Sequence, residues 1–119
     1  MGAIRGAICA ENTVEDISAK SVQLVSEIIA RNGVDIGCIS AIFFSVTDDL
    51  NACYPAKSVR EQLGLHNVAF MCFNEMKVSN SLPHCIRVCV FVQDLAQQQC
   101  KHCYLGQAST LRADLKTEV

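Results

Sequence analysis

The stretch Cys85-Ile86-Arg87-Val88-Cys89-Val90-Phe91-Val92 constrains this chain most. β-Branched and aromatic residues dominate it, so it reads as a strand buried on both faces. Alternation puts Cys85, Arg87, Cys89 and Phe91 on one face and Ile86, Val88, Val90 and Val92 on the other. A guanidinium cannot shed its proton, and burying it without an anion costs several kcal/mol. Either Arg87 reaches water past an open sheet face, or something negative comes to it.

The 119 residues suffice for one domain, residues 1–119, with a core that needs no staples. Half the residues are apolar and 18% are charged, which excludes disorder. No apolar run reaches the length of a membrane span. The start, Met1-Gly2-Ala3-Ile4-Arg5-Gly6, lacks the apolar core of a secretory signal, so a cytoplasmic location is expected. A net charge of −2 gives no case for nucleic acid or a membrane surface. Any anionic partner must be met by locally focused arginines.

Eight cysteines raise two other readings. A disulfide framework has no export signal to support it. Zinc binding at Cys100-Lys101-His102-Cys103 lacks a second matching pair, since Cys85 and Cys89 lie in a strand pattern. Cys9, Cys38, Cys53, Cys72 and Cys89 sit among apolar residues and read as reduced core thiols. No cofactor or metal is expected.

Ala3–Ala10 forms a first strand that also carries an arginine, Arg5, followed by Gly6. That glycine allows either a close approach by ligand or backbone, or a bulge beside a solvated strand end. Thr13 is an N-cap with Asp16 in a box-like position, and Ile17, Leu24, Val25, Ile28 and Ile29 recur at helical spacing up to Gly33. Cys38–Val46 is a second strand, and Thr47–Asn51 a turn. Pro55 opens a short helix that ends at Leu63 before Gly64. Its Lys57 and Arg60 share a face, as a solvated pair or a basic rim. Val68–Phe73 is a third strand leading into Glu75. After Val92, Asp94–Gln99 reads as a short turn of helix and Cys103–Leu105 as a last strand. His66, His84 and His102 have no evident carboxylate partner and read as surface residues. The tail from about residue 109 is polar enough to be mobile. The order predicts an α+β fold: a mixed β-sheet packed with one long helix and short helices. One long helix leaves a sheet face to a second subunit, so a closed homo-oligomer is expected.

Arg5 and Arg87 inside apolar strands, Glu75 at a strand end and the Tyr104 hydroxyl are the candidate chemistry. No Ser-His-Asp set, P-loop or dinucleotide fingerprint accompanies them. Fixed positive charge, one carboxylate and one phenol suit a small multiply anionic ligand held by forked guanidinium contacts.

The order and spacing of several short motifs are similar to the monofunctional chorismate mutases of the AroH class, the trimeric Bacillus type. These are Ile4-Arg5-Gly6-Ala7, Ser45-Val46-Thr47-Asp48-Asp49-Leu50, Tyr54-Pro55-Ala56-Lys57-Ser58-Val59-Arg60, Met71-Cys72-Phe73-Asn74-Glu75-Met76, Cys85-Ile86-Arg87-Val88, His102-Cys103-Tyr104-Leu105 and Leu111-Arg112-Ala113-Asp114-Leu115. The resemblance implies a trimeric pseudo-barrel with sites between subunits that convert chorismate to prephenate. It implies that Arg87 faces the ether oxygen of the breaking bond and that Glu75 accepts from the ring hydroxyl. It assigns Arg5 and Tyr104 to the side-chain carboxylate. Cys72, with Met71, Phe73 and Asn74 beside it, would line the ring pocket. Tyr54 would form an aromatic wall, where this class usually has Phe. Lys57, Arg60, Leu111 and Arg112 would form the rim and partial lid. Ala113 stands where proline usually follows the arginine, and Ile8-Cys9 replaces a small hydroxylated pair. Other readings are an imine/enamine deaminase-like trimer, and a non-catalytic anion- or zinc-binding module.

Overall fold

The computed structural model describes residues 1–111. Arg112 and the remainder of the predicted mobile tail lie outside the described residues. In chain order the elements are β1 (Gly2–Cys9), α1 (Val14–Asn32), β2 (Ile39–Val46), α2 (Pro55–Leu63), β3 (Ala69–Asn74), β4 (Cys85–Val92) and β5 (Cys103–Tyr104). Single 3-10 turns occupy Ile36–Cys38, Gln97–Gln99 and Gly106–Thr110. The expected helical turn after β4 is thus a three-residue 3-10 turn. Asp94 takes a positive φ of 59° there, which ends the strand abruptly.

Both helices begin and end where local chemistry directs. The Thr13 hydroxyl accepts the Asp16 N–H at 3.0 Å. Asp16 Oδ2 accepts the Glu11 N–H at 2.7 Å, two residues upstream of the cap rather than at the cap itself. At the other end Gly33 is left-handed, and the Val34 N–H returns to the Ile29 carbonyl at 3.0 Å. Pro55 opens α2, and Gly64 closes it with the same geometry.

The sheet order is β3-β2-β4-β1-β5. β4 runs antiparallel to β1 and β2, while β3 and β5 run parallel to their neighbours β2 and β1. Both helices pack on one face. There Ile4, Ile42, Phe44, Ile86 and Val90 meet Ile17, Leu24, Val25, Ile28 and Val59 in one core. Burying each such side chain stabilises the fold by about 1.5–3 kcal/mol, so this layer dominates stability.

β4 is not buried on both faces, as its apolar run suggested. Ile86, Val88, Val90 and Val92 are buried, but Arg87, Cys89 and Phe91 are half-exposed. With both helices on one side, the described residues cover the other face only at one end. There the last 3-10 turn seals a small cluster of Ala7, Cys85, Tyr104 and Ala108, with Leu111 packed against it. Elsewhere that face shows the edge-on aromatic contacts Phe43–Phe73 and Phe43–Phe91, with ring centroids 5.8 and 5.2 Å apart.

Gly6 is explained by the fold. A Cβ there would lie 2.7 Å from the Cys103 carbonyl oxygen and 3.0 Å from Ile28 Cδ1. The close approach that the glycine permits is therefore that of β5 and α1, not of a ligand.

Candidate active site

Register aligns one residue from each strand in a row across the open face. Tyr104 of β5 stands beside Ala7, which pairs with Arg87, which pairs with Ser45, which pairs with Phe73. Adjacent strands lie about 4.8 Å apart, so Tyr104 and Arg87 flank the small Ala7 like posts either side of a gap. Arg5, opposite Cys89, is on the same face two residues further along β1. Glu75 follows β3 directly and is anchored by its own N–H to the Val46 carbonyl at 2.8 Å.

The centre of this row is an ion pair held apart. Arg87 Nε is 3.5 Å from Glu75 Oε1, with side chains 38% and 23% exposed. The Ser45 hydroxyl donates to the same Glu75 oxygen at 2.6 Å. Arg87 Nε is buried and has no hydrogen-bond partner among the described residues. An unsatisfied buried donor costs about 1–3 kcal/mol, more for a charged group. Burial pushes the Cys85 thiol up to about 11, with neighbouring Cys9 adding to it, despite the opposing pull of Arg87.

A second region lies across the sheet. A groove of about 790 Å³ runs between the start of α1, the start of α2 and the β3 edge. Tyr54, Lys57, Cys72, Phe73 and Asn74 line it. Cys72 pairs with Phe44, so it points to the helix side, toward the Ala56 backbone N–H at the first turn of α2. Burial outweighs that contact and pushes its thiol up. Arg60 and Met71 are exposed but do not line this groove.

The residues singled out in the sequence therefore fall mainly in two groups. Arg5, Glu75, Arg87, Tyr104, Met71 and Leu111 belong to the open face or its covered end, Phe73 stands on the open face and also lines the groove, and Arg60 belongs to neither. Cys72, Asn74, Tyr54 and Lys57 belong to the groove. The sheet separates Cys72 from Arg87 within one chain.

A family model described as chorismate mutase type I matches residues 1–115. The chain belongs to that family. It is 42% identical over 114 residues to chorismate mutase AroH of Bacillus subtilis, covering 94% of this chain and 90% of that protein. It is 37% identical over 117 residues to chorismate mutase AroH of Thermus thermophilus, covering 96% and 95%. Among solved structures, a chorismate mutase from Clostridium thermocellum superposes with a TM-score of 0.87 at 38% identity, covering 92% of this chain and 99% of that one.

In this chorismate mutase family member His66 and His84 are exposed, as expected, and only His102 departs from the surface reading, while His84 and His102 both have partners. His102 is half-buried, and its Nδ1 accepts the Arg5 backbone N–H at 2.9 Å, which ties β1 to the approach of β5. His84 Nε2 lies 3.8 Å from Asp49 Oδ2, while Asp49 also accepts the His84 backbone N–H. Sequence distance hid both pairings, since the partners are 97 and 35 residues apart. Ser45 was missed as a contact for the charged pair for the same reason: only the β2–β4 register places it opposite Arg87. All eight cysteines are free thiols, and only Cys85 and Cys103 are fully buried. The other six are partly exposed; Cys9, Cys38, Cys53 and Cys72 pack against the core as reduced thiols, whereas Cys89 stands on the open face. Among the described residues no three His, Cys, Asp or Glu side chains gather into a metal site. No helix there is long and apolar enough to cross a membrane.

Proposed function

We propose that this chain rearranges chorismate to prephenate, in the branch leading to phenylalanine and tyrosine, as a cytoplasmic homotrimer. The observation that carries the reading is the under-neutralised Arg87, whose Nε has no hydrogen bond and whose carboxylate neighbour is 3.5 Å away. The rearrangement is a unimolecular Claisen reaction and needs no bond to the protein. Its ether oxygen gains negative charge as the C–O bond breaks. A fixed guanidinium there binds the transition state more strongly than the substrate, which lowers the barrier. Holding the substrate in its compact conformer adds a positioning contribution. Together these need supply roughly 8 kcal/mol for a 10⁶-fold acceleration.

In this reading Arg87 faces the ether oxygen and Glu75 accepts from the ring hydroxyl. Arg5 and Tyr104 hold the side-chain carboxylate. Cys72, with Met71, Phe73 and Asn74, lines the ring pocket, and Tyr54, Lys57, Arg60, Leu111 and Arg112 form wall, rim and lid. Because Cys72 and Arg87 project from opposite faces of one sheet, each complete site combines the groove of one copy with the open face of another. The exposed Met71 and Phe73 on that face favour such an assembly.

Two measurements test this. Purified protein should consume chorismate, followed by loss of its absorbance, and should have the mass of a trimer. Mixing Arg87→Ala and Lys57→Ala proteins under exchange conditions should give more activity than either variant alone, because some sites then receive both native halves. A monomer, or no gain on mixing, contradicts the shared site. An inert, folded trimer contradicts the activity.

A further inference from the structure

The Ser45 hydroxyl lies close to the charged pair, and its proton is committed. The hydroxyl donates to Glu75 Oε1 at 2.6 Å, the same oxygen that lies 3.5 Å from Arg87 Nε. Cross-strand pairing sets Ser45 directly opposite Arg87 on the open face. A carboxylate this near a guanidinium ordinarily closes into a two-bond fork at about 2.7–2.9 Å. Here it does not: the pair is within ionic range, yet Arg87 Nε is unbonded and buried. Two restraints act on Glu75. Its backbone is tethered to Val46, and its carboxylate is turned toward β2 by Ser45.

We propose that Ser45 is a positioning residue that holds Glu75 off Arg87, so that the guanidinium remains available to an anionic substrate. This rests on the mutase reading above. Without the hydroxyl, nothing on β2 competes for Oε1, and the carboxylate folds onto the guanidinium. Arg87 would then be neutralised internally, and Glu75 would no longer face outward as an acceptor. Both changes weaken transition-state binding more than ground-state binding, because charge at the ether oxygen develops only as the bond breaks.

The test is Ser45→Ala and Ser45→Thr, with structures of both and kinetics on chorismate. Ser45→Ala should lower kcat about 10-fold, with KM within about 3-fold and an unchanged melting temperature within a few degrees. Ser45→Thr keeps the hydroxyl and should recover to within about 3-fold of wild type. In a Glu75→Ala background, Ser45→Ala should add less than about 2-fold, since Ser45 acts through that carboxylate. The Ser45→Ala structure should show Glu75 closed onto Arg87 with two N–H···O bonds. Unchanged kcat in Ser45→Ala, a threonine variant as slow as alanine, or additivity in the Glu75→Ala background each overturns the proposal. So does a Ser45→Ala structure with Glu75 still standing off. That structural result stands whether or not chorismate is the substrate, whereas a wild-type protein inert toward chorismate would sink only the activity.

Discussion

Gly6→Ala probes how tightly β5, and with it Tyr104, is held. The added Cβ would sit 2.7 Å from the Cys103 carbonyl oxygen, 3.0 Å from Ile28 Cδ1 and 3.1 Å from Leu24 Cδ1. The two side-chain methyls can give by a few tenths of an ångström. The carbonyl cannot swing away, because it belongs to a two-residue strand paired with Gly6 itself. Relief must come from moving β5 outward, which strains the Leu105 N–H to Ala7 carbonyl bond of 2.9 Å. Overpacking of this kind costs about 1–3 kcal/mol. The more restricted unfolded chain returns about 0.4–1 kcal/mol, so a net loss of roughly 1–2 kcal/mol is expected. At about 2.1 cal/mol/K per residue, a chain of 119 residues loses roughly 4 °C per kcal/mol, giving a melting temperature lowered by about 4–8 °C. Calorimetry or circular dichroism at one fixed protein concentration reads this. A melting temperature equal to or above wild type would refute the tight seating of β5 against β1.

Further expectations concern titration and reactivity. Burial raises the Asp49 carboxyl, but bonds from the Thr47 hydroxyl and the His84 N–H outweigh it and leave it below the ordinary 3.8. A depressed carboxyl contributes its stability above the unfolded value and loses it as pH falls through the folded value. Asp49→Asn should therefore be less stable than wild type in urea at pH 7, with the gap closing as pH falls below the ordinary carboxyl value of 3.8 and through the lower folded one. A gap that persists undiminished there contradicts the linkage. Cys85, raised to about 11 and buried, should resist iodoacetamide at pH 8 in native protein and react once unfolded, read by peptide mass mapping. Rapid native labelling of Cys85 would show that its cover of Tyr104 and the last 3-10 turn opens readily.

Local chemistry made most of the fold legible. Thr13, Gly33, Pro55 and Gly64 each mark a helix end through a cap or a left-handed turn, and each stands at the boundary found. Alternation in Cys85–Val92 separated the two faces of β4 correctly, because period two survives in an apolar strand. Exposure of the Arg87 face was harder to read, since Cys89 and Phe91 are apolar yet half-exposed in the single chain. Composition cannot separate a face covered by a helix from one the chain leaves open. Within the candidate site, Arg5, Glu75, Arg87 and Tyr104 stood out as charge or hydroxyl in apolar strands. Ser45, His84 and His102 did not, because their significance is set by register and tertiary pairing rather than by sequence neighbours. The division between groove and open face also required the register, which puts Cys72 with Phe44 and Phe73 with Ser45.

The most direct measurement is kcat for chorismate rearrangement by wild type, Arg87→Ala and Arg87→Lys, each verified as folded by its melting curve. If Arg87 supplies the positive charge at the breaking C–O bond, the alanine variant loses at least about 10²–10³ in kcat, by analogy with removal of an oxyanion donor. The lysine variant stays far below wild type, because a point charge does not replace the fork. Near-wild-type kcat in Arg87→Lys, or a loss below about 10-fold in Arg87→Ala, would contradict the electrostatic assignment.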